Sequence, residues 1–287
     1  MNKSSHQQAI TPELRQWIIS QAQAGHSVKS VVKSMVDAGW QEAVAIDAME
    51  STLHVHIARQ TEVLGLPAAV PVPVAPLDDS PLYLDLGDRR VHVLGSMAFP
   101  PIVVFGSFLS DEECDGLIAA ATPQLKRSLT IDTKTGGEEL NDARTSSGMF
   151  FRRGENALVQ RIEARIARLL DWPLENGEGM QVLHYRPGAE YKPHYDYFDP
   201  AEPGTPTILK RGGQRVATIL MYLNEPEKGG GTTFPDVHFE VAPKRGNAVF
   251  FSYDKPHVST KTLHGGAPVI AGEKWIATKW LREREFT

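Results

Sequence analysis

From Met180 onward the chain is a succession of short apolar segments, QVLHYR, QRVATILMYLN, NAVFFSY and KWIATKWLR, set apart by glycine- and proline-containing turns. Runs of this length, rich in β-branched and aromatic residues, are strands. Several in sequence predict a closed or double-sheet β-fold with helices packed on one face. The first strand leads into VLHYRPGAEYKPHYDYF, Val182 to Phe198, where His194 and Asp196 lie two residues apart. Strand side chains at i and i+2 emerge on one face, so an imidazole and a carboxylate meet there. A second imidazole from a neighbouring strand would complete a 2-His-1-carboxylate facial set, which suits non-haem Fe(II) and leaves coordination positions open. Two downstream histidines compete for that place, His257 and His264 in SYDKPHVSTKTLHGG. A bare His-x-Asp is otherwise a pair of solvated strand residues.

Near its end the chain reads LHGGAPVIAGEKWIATKWLRE, with Lys274 ten residues after His264. Alternation turns Lys274, Ile276 and Thr278 to one face and Trp275 and Ala277 to the other. A lysine facing a barrel interior needs an anion, because an unpaired buried ammonium is costly. One facing outward is simply solvated.

Three blocks occur in order. Tyr185, Gly188, Tyr191, His194 and Asp196 form Y-x-x-G-x-x-Y-x-x-H-x-D. Gly212 to Pro235 reads GGQRVATILMYLNEPEKGGGTTFP. His264, Gly266, Pro268, Val269, Gly272, Lys274 and Trp275 form H-x-G-x-P-V-x-x-G-x-K-W. On these the C-terminal two thirds of the chain resembles the prolyl 4-hydroxylase family of 2-oxoglutarate- and Fe(II)-dependent oxygenases. The resemblance implies an α+β catalytic domain with a double-stranded β-helix (jelly-roll) core and supporting helices. It implies Fe(II) held by His194, Asp196 and His264, with His264 preferred to His257 because the G-x-P-V and lysine spacings count from it. It implies 2-oxoglutarate and O2 as cosubstrates and ascorbate as reductant. The distal carboxylate of 2-oxoglutarate would pair with Lys274 and accept hydrogen bonds from Tyr185 and from Thr232, which follows the glycine turn at 229–231.

Substrate-side roles are implied for Tyr191, Arg215 and Trp280: aromatics stacking on a pyrrolidine ring, and a guanidinium donating to a peptide carbonyl. Read as residues alone, Tyr185 and Trp280 could be core aromatics and Arg215 a surface ion-pair member. The implied reaction is hydroxylation of an unactivated carbon, foremost C4 of a prolyl residue in a peptide or protein, with release of succinate and CO2. Two alternatives are the same chemistry on another side chain or small molecule, and a non-catalytic metal-binding jelly roll serving as an interaction module. The second is disfavoured because such a module need not keep Tyr185 and Lys274.

Ahead of this lie three helical patterns within residues 11–58. TPELRQWIISQAQAG carries Leu14, Trp17, Ile18 and Ala22, and SVKSVVKSMVDAG carries Val28, Val31, Val32 and Met35. WQEAVAIDAMESTLHVHI opens at Trp40, with Val44, Ala48 and Leu53 inward. The Gly39 to Ala45 stretch is loosely similar to a ubiquitin-associated-type bundle. That similarity implies a module recruiting a protein partner or substrate; a scaffold or dimer helix set is the alternative. Residues 65–81 are proline-rich without apolar periodicity and predict a semi-rigid spacer. The expected domains are therefore 1–64, a linker at 65–81, and 82–287.

Within the last, LYLDLGDRRVHVLG predicts a hairpin turning at Gly87-Asp88, and Ser110 with Glu113 a capping box. ALVQRIEARIARLL predicts an amphipathic helix with Leu158, Ile162, Ile166 and Leu169 inward, and residues 130–144 a mobile polar loop. A formal charge of −5 supplies no electrostatic argument for a nucleic acid or a membrane surface. No apolar run approaches a transmembrane span, and MNKSSHQQ lacks a signal-peptide core. The single cysteine, Cys114, sits in a helical context that predicts a buried structural thiol. With no second cysteine for an intrachain disulfide, it suits a reducing, cytoplasmic compartment.

Overall fold

Three helices make up the N-terminal unit: α1 (Pro12–Gln23), α2 (Val28–Asp37) and α3 (Glu42–Val63). In this computed structural model the described residues are 9–128, 130–131, 135, 137–139 and 143–287. They fall into two compact units that divide between Ala68 and Ala69. Thr11 accepts from the Leu14 N–H at the start of α1, and Ser27 accepts from the Ser30 N–H at the start of α2. Ile18, Val31, Val32, Met35, Ala45, Ala48 and Met49 form the core of the bundle. Helix α3 starts at Glu42, two residues after Trp40, which packs against that core from the preceding turn. Trp17 and Val28, both on the expected stripes, remain exposed, since a bundle this small cannot cover every apolar side chain.

The second unit begins with β1 (Tyr83–Asp85), β2 (Arg90–Met97) and β3 (Ile102–Gly106), followed by helix α4 (Asp111–Ala121). Short β4 (Lys126–Arg127), β5 (Thr130–Ile131) and β6 (Glu138–Glu139) come next, then β7 (Ser147–Phe151) and helix α5 (Ala157–Leu170). The remaining strands are β8 (Met180–Tyr185), β9 (Tyr191–His194), β10 (Arg215–Tyr222), β11 (Lys228–Gly229), β12 (Thr232–Phe234) and β13 (Phe239–Val241). After these come β14 (Ala248–Ser252), β15 (His264–Gly266), β16 (Val269–Ala271) and β17 (Lys274–Arg282). The major sheet runs β1-β2-β3-β14-β10-β17-β8-β7-β4, and a smaller one runs β13-β12-β15-β9. Every pairing is antiparallel. The two sheets enclose Leu183, Tyr185, Leu220, Tyr222 and Ile276 of the major sheet against Phe234 and Val241 of the minor one. This is the jelly roll.

The outer face of the major sheet is covered by helices. Val182, Ala217, Ile219, Met221, Phe250 and Ala277 pack there with Leu117 of α4 and Val159, Ile162, Ile166 and Leu169 of α5. Strand β10 is buried at all eight positions, because alternate residues face the helices and the sheet interior. Its apolar run is nearly unbroken for that reason. Helix α5 turns Val159 rather than Leu158 fully inward, and its buried face also carries Glu163, which pairs with Lys279. Ser110 and Glu113 do form a capping box on α4. Cys114 is buried, and burial pushes its thiol up to about 11.

Between residues 65 and 81 the chain is not wholly detached. The Val70 N–H donates to the Asp254 carbonyl, and Ala75 lies in the hydrophobic core of the second unit. The loop expected at 130–144 lies outside the described residues at 132–134, 136 and 140–142; Thr130–Ile131 pairs with Glu138–Glu139.

Candidate active site

Strands β9 and β15 are antiparallel neighbours whose register sets His194 directly opposite His264. Gly265 permits their tight approach, since a Cβ there would stand 2.9 Å from the Tyr191 carbonyl oxygen. Asp196 follows β9 by two residues. His194, Asp196 and His264 each offer a ligand atom, and these atoms lie within 4.8 Å of one another. The Nδ1 of His194 is 2.9 Å from the Lys192 carbonyl, and that of His264 is 3.0 Å from the Thr262 carbonyl. A carbonyl only accepts, so both rings carry a proton on Nδ1 and turn Nε2 toward the centre. The two Nε2 atoms lie 3.7 and 3.4 Å from the Asp196 oxygens.

Burial and the neighbouring His264 push His194 down to about 3, so it is neutral at physiological pH. Burial alone would raise Asp196, but His264 and His194 outweigh it and hold the carboxyl well below its usual range. Two imidazole Nε2 atoms and one carboxylate converge on one point, an arrangement that a cation among them would stabilise. The donor set fits Fe(II).

Inward from this cluster, a pocket is lined by Tyr185, Thr232, Lys274, Ile276, Thr278 and Trp280. Lys274 is paired with Tyr185 across β8 and β17 and is 2% exposed. Its ammonium makes no ion pair among the described residues. It lies 5.5 Å from the Tyr185 ring centre and 6.0 Å from that of Tyr222. Burial pushes it down to about 8, partly opposed by Glu240. The Tyr222 hydroxyl donates to Thr232 Oγ1 at 2.8 Å. A dicarboxylate reaching from the cluster to the ammonium would supply the anion that Lys274 lacks.

Outward, a cleft of about 820 Å³ shares His194, Asp196, Arg144, Tyr191 and Trp280 with the inner pocket. Tyr191 stacks on His194 with ring centres 3.7 Å apart. Arg215 and Trp280 both line the cleft, with the guanidinium 4.0 Å from the indole centre. Arg215 is already engaged, donating from Nε and Nη2 to Glu178 at 2.6 and 2.9 Å. The buried Trp280 Nε1 has no hydrogen-bond partner among the described residues. All nine residues singled out in the sequence thus surround one centre: three converge on it, Tyr185, Thr232 and Lys274 line the inner pocket, and Arg215 lines the cleft. Tyr191 and Trp280 face both cavities. The competing His257 is occupied elsewhere, its Nδ1 accepting from the Ser259 N–H. His184 stacks on Trp275 and contacts Glu273.

Sequence reading missed four residues. Thr218 donates to Asp196 Oδ2 at 2.6 Å and lies 3.0 Å from the Tyr253 hydroxyl, so the carboxylate is oriented from behind. Glu178 binds both Arg215 and Arg282. Tyr222 caps Thr232. Thr218 and Tyr222 share a face with Leu220 on β10, and that alternation was readable; Tyr253 and Glu178 join the site only through the pairing of distant strands.

The chain is similar in sequence to several known proteins. The 2OG-Fe(II) oxygenase superfamily profile matches residues 180–282. Prolyl 4-hydroxylase 5 of Arabidopsis thaliana is 42% identical over 222 residues, which cover 70% of this chain and 74% of that protein. Prolyl 4-hydroxylase 1 of the same plant is 45% identical over 202 residues, covering 64% and 70%. Among solved structures, a viral collagen prolyl hydroxylase from Paramecium Bursaria Chlorella virus-1, in complex with 2OG, is 34% identical. The match covers 63% of this chain and 95% of that one with a TM-score of 0.49.

Proposed function

This chain belongs to the prolyl 4-hydroxylase family of 2-oxoglutarate- and Fe(II)-dependent oxygenases, and we propose how its residues divide that work. The enzyme is a dioxygenase that hydroxylates C4 of a prolyl residue in a peptide, releasing succinate and CO2. With iron, 2-oxoglutarate and O2 bound, oxidative decarboxylation of the cosubstrate supplies the oxidising power for a C–H bond. His194, Asp196 and His264 hold the metal. Thr218 keeps the Asp196 carboxylate turned toward it, and the Nδ1 hydrogen bonds keep both imidazoles in the ligating tautomer. Lys274 pairs with the distal carboxylate of 2-oxoglutarate, and Tyr185 and Thr232 donate to it or position it. The jelly-roll interior around them excludes water.

On the outer side, Tyr191 and Trp280 flank the prolyl ring. Trp280 offers an Nε1–H that has no partner among the described residues, and Arg215, oriented by Glu178, faces the peptide backbone. The observation that carries this reading is the placement of the cluster between two cavities. One ends in a buried ammonium; the other opens to solvent and can admit a chain.

Three further readings belong to the proposal. Ascorbate restores idle enzyme, as family membership suggests. The compartment is cytoplasmic, in keeping with a single, buried cysteine. The N-terminal bundle recruits a protein, since Val28, Val36, Ile46 and Val55 leave apolar surface exposed on it.

Anaerobic titration with Fe(II) and then 2-oxoglutarate, followed by O2 and a proline-containing peptide, tests the reaction. Succinate should appear in step with hydroxyproline. Succinate formation that no proline peptide accelerates would defeat the prolyl reading.

A further inference from the structure

We propose that the peptide taken by the outer cleft is acidic, with the target proline flanked by aspartate or glutamate; this rests on the prolyl reading above. The whole chain carries a formal charge of −5. Its cleft is the opposite. Among the described residues it is lined by Arg144, Arg152, Arg153, Arg211, Arg215 and Arg282, against two carboxylates, Glu178 and Asp196. Counted on these side chains alone, six less two leaves a formal excess of four positive charges, and Asp196 faces the metal position rather than the cleft wall.

The individual contacts sharpen this. Glu178 accepts from both Arg215 and Arg282, so that buried trio keeps one positive charge in excess. Arg153 donates to the carbonyls of Glu175, Gly177 and Phe286, which orient its guanidinium without neutralising it. Arg152 is exposed, and only its backbone N–H engages a carboxylate, that of Glu155. Neither Arg152 nor Arg153 has an ion pair among the described residues. Arg211, also exposed, lies over the Phe286 ring and donates to an oxygen of Thr287.

Phe150, Phe198 and Trp280 form apolar wall between these cations. A like-signed cleft with low-dielectric walls focuses its field and concentrates the opposite charge. A neutral proline-rich peptide gains nothing from that field, and a basic one is repelled by it. Guanidiniums also grip carboxylates with paired donors, so flanking acidic side chains would be held in register with the proline.

The test uses full-length protein loaded with Mn(II) and 2-oxoglutarate without O2, and three equal-length peptides with one central proline flanked by glutamate, serine or lysine. Fluorescence anisotropy reads their binding. The glutamate peptide should bind about tenfold more tightly than the serine peptide and the lysine peptide more weakly still. The preference should shrink at high salt. It should collapse toward equal binding in Arg152→Glu/Arg211→Glu, whose two positions are exposed and so tolerate change. Equal binding of all three peptides to the wild type, or a preference for lysine, overturns the proposal. So does a double variant that weakens 2-oxoglutarate while keeping the peptide preference, because the arginines would then serve only the cosubstrate. Hydroxyproline, read separately by mass after O2 is admitted, decides the reaction: a retained acidic preference with no product would overturn the prolyl reading alone.

Discussion

Replacing Lys274 by methionine should make the protein more stable and a worse enzyme. The side chain is 2% exposed with no ion pair among the described residues, and burial lowers its ammonium from 10.5 to about 8. Keeping it charged at pH 7 without a ligand therefore costs the fold about 3 kcal/mol as an upper bound. Because the folded pKa lies below the unfolded one, the whole penalty is present below about pH 8. It fades as pH rises toward 10.5. Methionine keeps the length and removes the charge, so urea unfolding of the metal-free variant should show a gain of up to about 3 kcal/mol at pH 7. That gain should vanish near pH 10.5.

Affinity moves the other way. A charge-assisted hydrogen bond contributes roughly 1.5–3 kcal/mol, so 2-oxoglutarate binding to Mn(II)-loaded protein should weaken about ten- to a hundredfold. Wild-type affinity should decline above pH 8 as the free lysine loses its proton, by up to about tenfold per pH unit. The variant should lack that decline. Calorimetric titration across pH 7 to 9.5 measures both. Equal affinities in the two proteins, or the same pH profile in both, would refute the assignment of Lys274.

Alanine at His194, Asp196 or His264 should abolish turnover and weaken iron binding, whereas His257→Ala, which removes only a turn-capping imidazole, should do neither; metal titration with a succinate assay distinguishes them. Thr218→Val removes the hydroxyl that orients Asp196 and should weaken metal binding about ten- to a hundredfold, with Tyr253→Phe milder. Unchanged metal affinity in Thr218→Val would show that the carboxylate orients itself. A chain beginning at Ala69 should fold, bind Fe(II) and 2-oxoglutarate and turn over short peptides, because Val70 and Ala75 belong to the catalytic unit. If the bundle recruits a protein, KM for that protein should rise while kcat on a short peptide stays unchanged; an insoluble product would overturn the independence of the two units.

Period and spacing alone specified much of this protein. Apolar runs cut by glycine and proline dictate strands, and alternation in KWIATKW decides that Lys274, Ile276 and Thr278 share a face, because side-chain direction in a strand is a local property. The capping box at Ser110 and Glu113 and the hairpin at Gly87-Asp88 are local in the same sense. His194 and Asp196 emerge together for that reason too. The third ligand is different. On residues alone His257 and His264 were equal candidates, and only the pairing of β9 with β15 sets His264 opposite His194.

The tertiary fold also decided what stands behind the ligands. Thr218 and Tyr253 come from β10 and from the end of β14, strands that adjoin in the major sheet. Glu178 precedes β8 yet pairs with guanidiniums at the start of β10 and the end of β17. The arginines of the cleft are scattered from Arg144 to Arg282 in a chain of net negative charge, so no window of sequence shows them as a patch. Direction within a strand depends on neighbours one and two residues away. Charge and hydrogen-bond complementarity depend on which strands lie side by side, and that is settled only when the sheets close.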